Sequence, residues 1–301
     1  MTLTPIQRRI LTASGAIVDG QADDPLYTHS VLAQTYFPTT KQPDHIRQWQ
    51  RRQGQAHLKV DAGQAWHPGR QEFVDIPLPY GPKARLILMH LNSEAVRQRS
   101  HVIEVDRSMT AFVARVQDRQ PNSRDIAMFK SQLSALAAAS ITMALDRAES
   151  AVQVQTRIIG AFDLWFEKTS SQRVLWPQTV ALSLDYFDTL SRHAVPLDER
   201  AIAALAKSAM ALDVYCWLAQ RLHRAPQGTP QFIPWTALYE QFGEGFRVLR
   251  QFRAFFLKML RQVHAVYPDA RFDTDGQGMQ LWNSPPPIAK KLISITKDLT
   301  S

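Results

Sequence analysis

Apolar and polar positions repeat with the period of an α-helix most clearly between Gly245 and Val263. At roughly 100° per residue, the apolar side carries Val248, Leu249, Phe252, Phe255, Phe256, Met259, Leu260 and Val263. The opposite side carries Arg247, Arg250, Arg253, Lys258 and Arg261. Because the segment contains no Asp or Glu, no i, i+4 ion pair neutralises this basic side. The pattern predicts an amphipathic helix that packs on a core and presents cations to an acidic partner.

The residues around this segment predict a helix-turn-helix followed by a β-hairpin. Residues 234–242 suit a short helix with Thr236 as its N-cap, and Gly243-Glu244-Gly245 breaks the chain before the basic helix. Residues 270–272 and 279–281 can pair across a turn rich in Asp and Gly. This order is that of a winged-helix domain, whose second helix enters the major groove of DNA. Taken alone, the basic segment would be interpreted as the solvated face of a core helix, and the flanking residues favour the DNA-binding interpretation.

A similar order of elements occurs earlier in the chain. Residues 85–98 and 108–116 have helical periodicity, and residues 101–105 alternate as a strand does. A further helix is expected over residues 124–139, followed by a hairpin of two alternating runs. On that helix we expect Ile126, Met128, Phe129, Leu133 and Leu136 to point inward, and Arg124, Lys130, Ser131 and Gln132 to point outward. This order predicts another winged-helix unit, which precedes the one described above. The two stretches share no repeat at the level of residues.

The rest of the pattern sets the domain organisation. Residues 185–191 predict a short helix, and residues 196–222 predict one long helix. Cys216 is expected on the side of this helix that packs in the protein core. The first 75 residues mix apolar patches with Gly, Pro, Asp and Gln, which predicts a loosely structured arm. The expected fold class is α+β and helix-rich, with two tandem winged-helix units and an N-terminal extension. The expected parts are an arm (1–75), a first winged-helix-like domain (76–182), a second winged-helix domain (183–287) and a mobile tail (288–301).

Composition changes this picture mainly through charge. The chain has 301 residues, of which 45% are hydrophobic and 21% charged, which is typical of a globular protein with room for about two domains. A net charge of +8 favours polyanionic partners such as nucleic acid. Since no long apolar run is present, we expect a cytoplasmic protein without a membrane partner. The single cysteine excludes an intramolecular disulfide and a multi-cysteine zinc site.

Common catalytic signatures are absent from the sequence. It contains no GxxxxGK[ST] phosphate loop, no H-x-H pair and no H-E-x-x-H helix. A calcium loop beginning at Asp273 would need a closing Glu where Ser284 stands, so a turn is expected there. For Tyr186, Tyr215, Tyr239 and Tyr267 we prefer packing roles over a nucleophilic role. We therefore expect a protein without enzymatic activity, cofactor or metal.

Several ordered blocks resemble the plasmid-encoded RepA-type replication initiators of Gram-negative bacteria. The blocks are Tyr80–Leu88, Asn92–Arg97, Asp106–Met109, Leu175–Pro177, His193–Asp198, Ala211–Ala219 and Gln241–Gly243. The resemblance implies an initiator that binds repeated sequences, or iterons, at a plasmid origin and helps to open adjacent DNA. It also implies the host replication initiator and the replicative helicase as partners, and homodimers that repress their own gene.

The residues themselves, rather than the resemblance, identify the candidate contacts with double-stranded DNA. Because the first turns of a recognition helix lie deepest in the groove, we expect Arg247, Arg250 and Arg253 to contact bases. Lys258 and Arg261 then anchor phosphates. The remaining candidates are Arg271 and Gln277 on the wing, and Arg124, Lys130 and Gln132 in the first unit, for phosphate contact or for dimerisation. A transcriptional repressor without initiation activity and an unrecognised DNA-processing enzyme are the alternatives.

Overall fold

A computed structural model describes residues 3–20, 24–67, 69–104, 106, 108–117, 119–147, 150–161 and 179–288. The helices are α1 (Pro5–Val18), α2 (Leu32–Thr35), α3 (Gly81–Gln98), α4 (Met109–Gln117), α5 (Ser123–Ala138), α6 (Leu184–His193), α7 (Glu199–Leu205), α8 (Ala209–Arg221), α9 (Trp235–Phe242) and α10 (Leu249–Val266). The strands are β1 (Leu26–His29), β2 (Gln48–Gln53), β3 (Ala56–Asp61), β4 (Gln64–His67), β5 (Glu72–Asp75), β6 (Val102–Glu104), β7 (Ser140–Arg147), β8 (Ser150–Arg157), β9 (Ile159–Ala161), β10 (Thr179–Leu182), β11 (Ala194–Leu197), β12 (Gln231–Pro234), β13 (Phe272–Thr274) and β14 (Gly278–Leu281). The expected helix-rich α+β class is confirmed.

The second unit has the winged-helix order that its sequence predicts. Helix α8 is followed by β12, α9, α10 and the hairpin β13–β14. The hairpin pairs Phe272 with Leu281 and Thr274 with Met279, and β12 adds to it as a third strand beside β14. The hairpin forms the wing beside α10, where Arg253 reaches its turn.

The first unit keeps the same order of helices but pairs its strands differently. Helix α3, strand β6, helices α4 and α5 and the hairpin β7–β8 follow one another, as the sequence predicts. Strand β6, however, pairs with β10 rather than with the hairpin. The hairpin instead belongs to a four-stranded sheet in the order β2-β3-β7-β8. The wing of this unit is therefore extended by strands from the N-terminal part of the chain.

The expectation of a loosely structured N-terminal arm was wrong. Strand β3 pairs with β7 over its whole length, from Ala56 opposite Leu145 to Asp61 opposite Ser140. Within this part of the chain, Arg47 fixes the start of β2 by donating to the carbonyl oxygens of Ile76 and Gly63. The Trp49 indole donates to the Tyr36 carbonyl. These contacts connect residues distant in sequence, which local periodicity does not encode.

In the part of the chain that the structure describes, the buried hydrophobic side chains form two cores. One is built mainly from α7 to α10 with the wing, and Ile10 and Ala13 of α1 pack into it. The other is built from α3, α4, α5 and α6 with the sheet that contains β3 and β7. Residues of α3 belong to both cores, as Leu86 faces the first and Ile87 the second. The boundaries predicted between the domains stay predictions.

Helix boundaries differ from the sequence expectation at several places. The long helix expected over residues 196–222 is two helices, because Ser208 caps α8 by accepting from the Ala211 amide and Asp198 caps α7. Helix α9 begins at Trp235, with Pro234 rather than Thr236 at the N-cap position. Helix α10 begins at Leu249 and not at Gly245. Residues 162–178 and the tail beyond Ile288 lie outside the described residues.

Candidate nucleic-acid interface

The apolar side of α10 anchors the helix in its core. Phe252, Phe256, Met259, Leu260 and Val263 are buried, as the periodicity predicts. Three expected core residues, Val248, Leu249 and Phe255, are exposed instead. Two of these differ because the helix starts later than expected, so Val248 precedes it and Leu249 opens its first turn. Phe255 stands at the edge of the buried side, where its ring meets the ring of Phe246.

The exposed side of α10 carries much of the expected positive charge. Arg250, Lys258 and Arg261 are exposed on the helix. Arg247 is also exposed, but it lies in the bend that precedes the helix. Gln251, which the charge pattern did not single out, is exposed next to Arg250 in the first helical turn. Since a glutamine amide can pair with adenine, its polar character at the helix start is the signal that could have identified it.

Arg253 is held by the wing and differs from the other cations of α10. Its guanidinium donates to the carbonyl oxygens of Asp275, at 2.8 Å, and Gly276, at 3.3 Å. The same group lies over the ring of Trp235, 4.9 Å from the ring centroid. These contacts fasten α10 to the wing and to the first residue of α9. The guanidinium therefore holds α10, the wing and α9 in their relative positions. It is less available to contact DNA bases.

The two wing residues that we expect to contact DNA are both exposed. Arg271 is exposed immediately before β13, and Gln277 is exposed in the turn. Asp275 shapes this turn by accepting from the amides of Gln277 and Gly278, and these hydrogen bonds lower the pKa of its carboxyl group. The wing therefore carries negative as well as positive charge, and the density of cations is higher on α10.

Two glycines and the glutamate between them fix the conformation of the turn between α9 and α10. Gly243 is required because a Cβ atom there would lie 2.4 Å from the Tyr239 carbonyl oxygen. Gly245 has a φ of +81°, a left-handed conformation that favours glycine. Between them, Glu244 accepts from the Thr39 amide at 3.2 Å and lies 3.5 Å from the Arg51 guanidinium of β2. The N-terminal residues thus position the helix-turn-helix rather than extend from it.

In the first unit the structure supports only part of the expected polar face. Arg124 is exposed, and Lys130 is partly exposed. The expectation that Gln132 points outward was wrong, because its side chain is fully buried and its amide oxygen accepts from the Tyr80 amide at 2.8 Å. Met128, expected in the core, is instead exposed. The chain before α3 covers the side of α5 that periodicity alone assigned to solvent.

The tyrosines and the cysteine have the packing roles that the sequence favoured. Tyr186, Tyr215 and Tyr267 are buried, and burial raises the pKa of each hydroxyl group. The Tyr239 hydroxyl donates to the Phe246 carbonyl and so braces the turn before α10. Cys216 is buried in α8, and burial raises the pKa of its thiol. None of these groups is poised as a nucleophile.

The fold of this chain is similar to that of two solved structures. Two crystal structures of domains 2 and 3 of RctB, one of them a selenomethionine derivative, superpose on this chain with TM-scores of 0.50 and 8% sequence identity. The first covers 84% of this chain and 98% of the RctB chain, and the second covers 83% and 94%. At this identity the likeness concerns the fold alone. No curated protein matches the chain.

The fold and its exposed helix define a helix-rich protein built from winged-helix units. The sequence model of the family described as "Plasmid encoded RepA protein" matches residues 78–236, which is more than half of the chain. The chain therefore belongs to this family of RepA-type plasmid replication initiators. The match ends just after the start of α9, so it does not include α10. In the described part of the chain, no helix is both long and apolar enough to cross a membrane.

Proposed function

We propose that this protein initiates plasmid replication by binding repeated duplex sequences at the origin, with α10 as the helix that enters the major groove. The observation that carries the proposal is the open basic side of α10 in the second-helix position of a winged-helix unit. Arg250, Lys258 and Arg261 project from the helix, and Arg247 from the preceding bend. The absence of acidic residues from α10 leaves this side attractive to phosphate along its length.

The residues of this surface have different tasks. Arg247, Arg250 and Gln251 lie at the start of the helix, where side chains reach deepest into the groove, and they contact base edges. Lys258 and Arg261 lie further along the helix and hold the phosphate backbone. Arg271 adds a contact from the wing. Arg253, which we first expected at a base, keeps the wing in register with the helix.

The first unit contributes less to sequence recognition. Arg124 is the exposed cation at the start of α5, and Gln132 is unavailable. This unit therefore contacts the DNA backbone or a second copy of the chain. We further propose, on the basis of the family, that the protein helps to open the origin, recruits the host initiator and helicase, and represses its own gene. We propose no catalytic step and no cofactor.

A footprint on the DNA that flanks the gene tests recognition directly. We expect protection of repeated sites, and Arg250→Ala should weaken binding to them by about 1–3 kcal/mol while relaxing the preference at one base position. Arg70→Ala removes an exposed cation in the turn between β4 and β5 and serves as the matched control. Equal loss on specific and random DNA would make Arg250 a phosphate contact. The absence of any protected site would refute the proposal.

Replication of an origin plasmid tests the initiator role separately from binding. A plasmid that carries the protected repeats and lacks this gene should replicate only when the protein is supplied from a second plasmid. Protection of the repeats without replication would identify a transcriptional repressor instead. Nicking of the origin DNA in the presence of a divalent metal ion would reveal an enzymatic step and contradict the assignment as a binding protein.

A further inference from the structure

A cationic cleft lies where α1, the end of α4 and α7 meet. Its volume is about 440 Å³, within the usual range of small-molecule sites. The positively charged residues that line it are Arg9, Lys83, Arg119, Arg200 and Lys207. Among the described residues that line the cleft, none is acidic. Alanine side chains of α1 and α7 form much of the remaining wall, which leaves room between the cations.

Carboxylates around the cleft neutralise only part of this charge. An oxygen of Asp125 lies 2.7 Å from Nη2 of Arg119, and its other oxygen lies 3.7 Å from Nζ of Lys83. Asp198 pairs with Arg200 at 2.6 Å. Two carboxylates therefore hold three of the five cations. The cleft keeps a positive charge that a bound anion can neutralise.

The two other cations, Arg9 and Lys207, have no ion-pair partner among the described residues. Burial and then repulsion from Arg119 lower the pKa of Arg9. Burial is also the main cause that lowers the pKa of Lys83; Asp125 opposes it, and Arg119 and Lys207 reinforce it. The cations are thus close enough to repel one another. An anion placed between them would relieve this repulsion.

Gln117 orients two of the cations at the wall of the cleft. It lines the cleft with only 8% of its surface exposed. Its amide oxygen accepts from Nζ of Lys83 and, at 3.1 Å, from Nη2 of Arg119, which fixes the orientation of the amide. Its amide nitrogen is buried and has no acceptor among the described residues. Through its amide oxygen, Gln117 holds the Lys83 ammonium and the Arg119 guanidinium beside each other at the cleft.

We propose that this cleft binds a compact polyphosphate, of the class of nucleoside diphosphates and triphosphates. Arginine and lysine donors around a concave site are the groups that recognise phosphate oxygens. The backbone of DNA offers the same chemistry, but the side chains of Lys83 and Arg200 are only 19% and 24% exposed. A duplex reaches the rim of such a cleft, whereas a small polyphosphate enters it.

Calorimetric titration of the full chain tests the proposal with defined probes. Tripolyphosphate and ATP should each bind at one site per chain, and adenosine should not bind. Lys207→Glu should weaken tripolyphosphate binding by about tenfold or more, because it reverses an exposed charge at the cleft. Arg70→Glu makes the same charge reversal in the turn between β4 and β5 and should leave binding unchanged. Unchanged melting temperatures of both variants would show that they are folded.

Three outcomes would overturn the proposal. The first is no measurable binding of tripolyphosphate to the wild-type chain. The second is equal weakening by Lys207→Glu and Arg70→Glu, which would show that the anion responds only to overall charge. The third is displacement of tripolyphosphate by a short random duplex, together with loss of duplex binding in Lys207→Glu. That result would assign the cleft to the path of the DNA backbone.

Discussion

Arg85 on α3 and Asp213 on α8 form a buried bidentate ion pair that joins a helix of the first unit to a helix of the second. The Nε–Oδ1 distance is 2.6 Å and the Nη2–Oδ2 distance is 2.8 Å. The remaining guanidinium N–H groups donate to the carbonyl oxygens of Phe37, Pro38 and Gly81. Burial raises the pKa of Asp213 to about 6, although Arg85 opposes this shift. At neutral pH the carboxylate is therefore charged and neutralises the buried guanidinium.

Replacing one member of this pair should destabilise the fold more than replacing both members with apolar residues. Asp213→Leu should lower the free energy of unfolding by about 3–5 kcal/mol, because it leaves the buried Arg85 charge without its partner. Arg85→Met should cost less, because the Asp213 carboxyl, whose pKa then rises further, takes up a proton. The double variant should be clearly more stable than the sum of the two losses predicts. Urea unfolding of the four proteins measures this coupling. Additive losses would show that the two side chains do not stabilise each other.

The buried histidine His29 should make stability fall at mildly acidic pH. Burial and then His193 lower the pKa of His29 to about 3, and its Nδ1 atom accepts from the Val31 amide. In the unfolded chain a histidine gains its proton below about pH 6.5, so the unfolded state binds more protons in the window between these values. The contribution of His29 to stability is therefore present above that window and is lost as the pH falls.

His29→Asn tests this pH dependence, since an asparagine oxygen can replace the Nδ1 acceptor without titrating. Between about pH 7.5 and pH 5.5, the wild-type chain should lose about 1.4 kcal/mol more than the variant. Burial also lowers the pKa of His90, to about 4, but this residue is present in both proteins and cancels in the comparison. Equal losses in the two proteins would contradict the assignment of a neutral buried His29.

Gly243 should tolerate no side chain in the turn before α10. A Cβ atom there would lie 2.4 Å from the Tyr239 carbonyl oxygen, which belongs to the backbone of α9 and cannot move away freely. Gly243→Ala should therefore cost about 1–3 kcal/mol of stability and weaken DNA binding. Gly276→Ala is the matched control, because a Cβ atom at Gly276 meets nothing within 4 Å. Similar melting temperatures for both variants would refute the close contact.

Arg253 should act on the wing rather than on DNA bases. Arg253→Gln removes its donors to the Asp275 and Gly276 carbonyl oxygens. Amide hydrogen exchange at Gln277 and Gly278 should then accelerate by about tenfold, as expected for local opening of a turn. Arg250→Gln changes a neighbouring exposed cation and should leave this exchange unchanged. An equal rate in both variants would show that Arg253 does not hold the wing.

The sequence predicted the second unit well because its signals are local. Helical periodicity located α10, two glycines located the turn, and residues 270–281 located the wing. Pairings between distant segments were not predictable in this way. The strands β2 and β3 join a hairpin more than 70 residues further along the chain, and their alternation gives no partner. Gln132 was misplaced for the same reason, since residues near Tyr80 cover it.

The roles of individual cations in the candidate site were harder to predict from the sequence. Charge and periodicity placed Arg253 with Arg250, but only the structure shows that Arg253 is engaged by the wing. The buried Arg85 carries no sequence signal that distinguishes it from a surface arginine. Its role depends on Asp213, which lies 128 residues away in the chain. Helical periodicity therefore finds a charged surface, whereas tertiary contacts decide which of its charges are free.

The salt dependence of binding to the origin repeats tests the central claim most directly. Arg247, Arg250, Lys258, Arg261 and Arg271 are exposed on one unit. If they replace counterions on the duplex, log K should fall against log salt with a slope of roughly −4 to −5. In Lys258→Ala the slope should be shallower by about 1. A slope near zero, or the same slope in Lys258→Ala, would contradict the claim that α10 binds DNA.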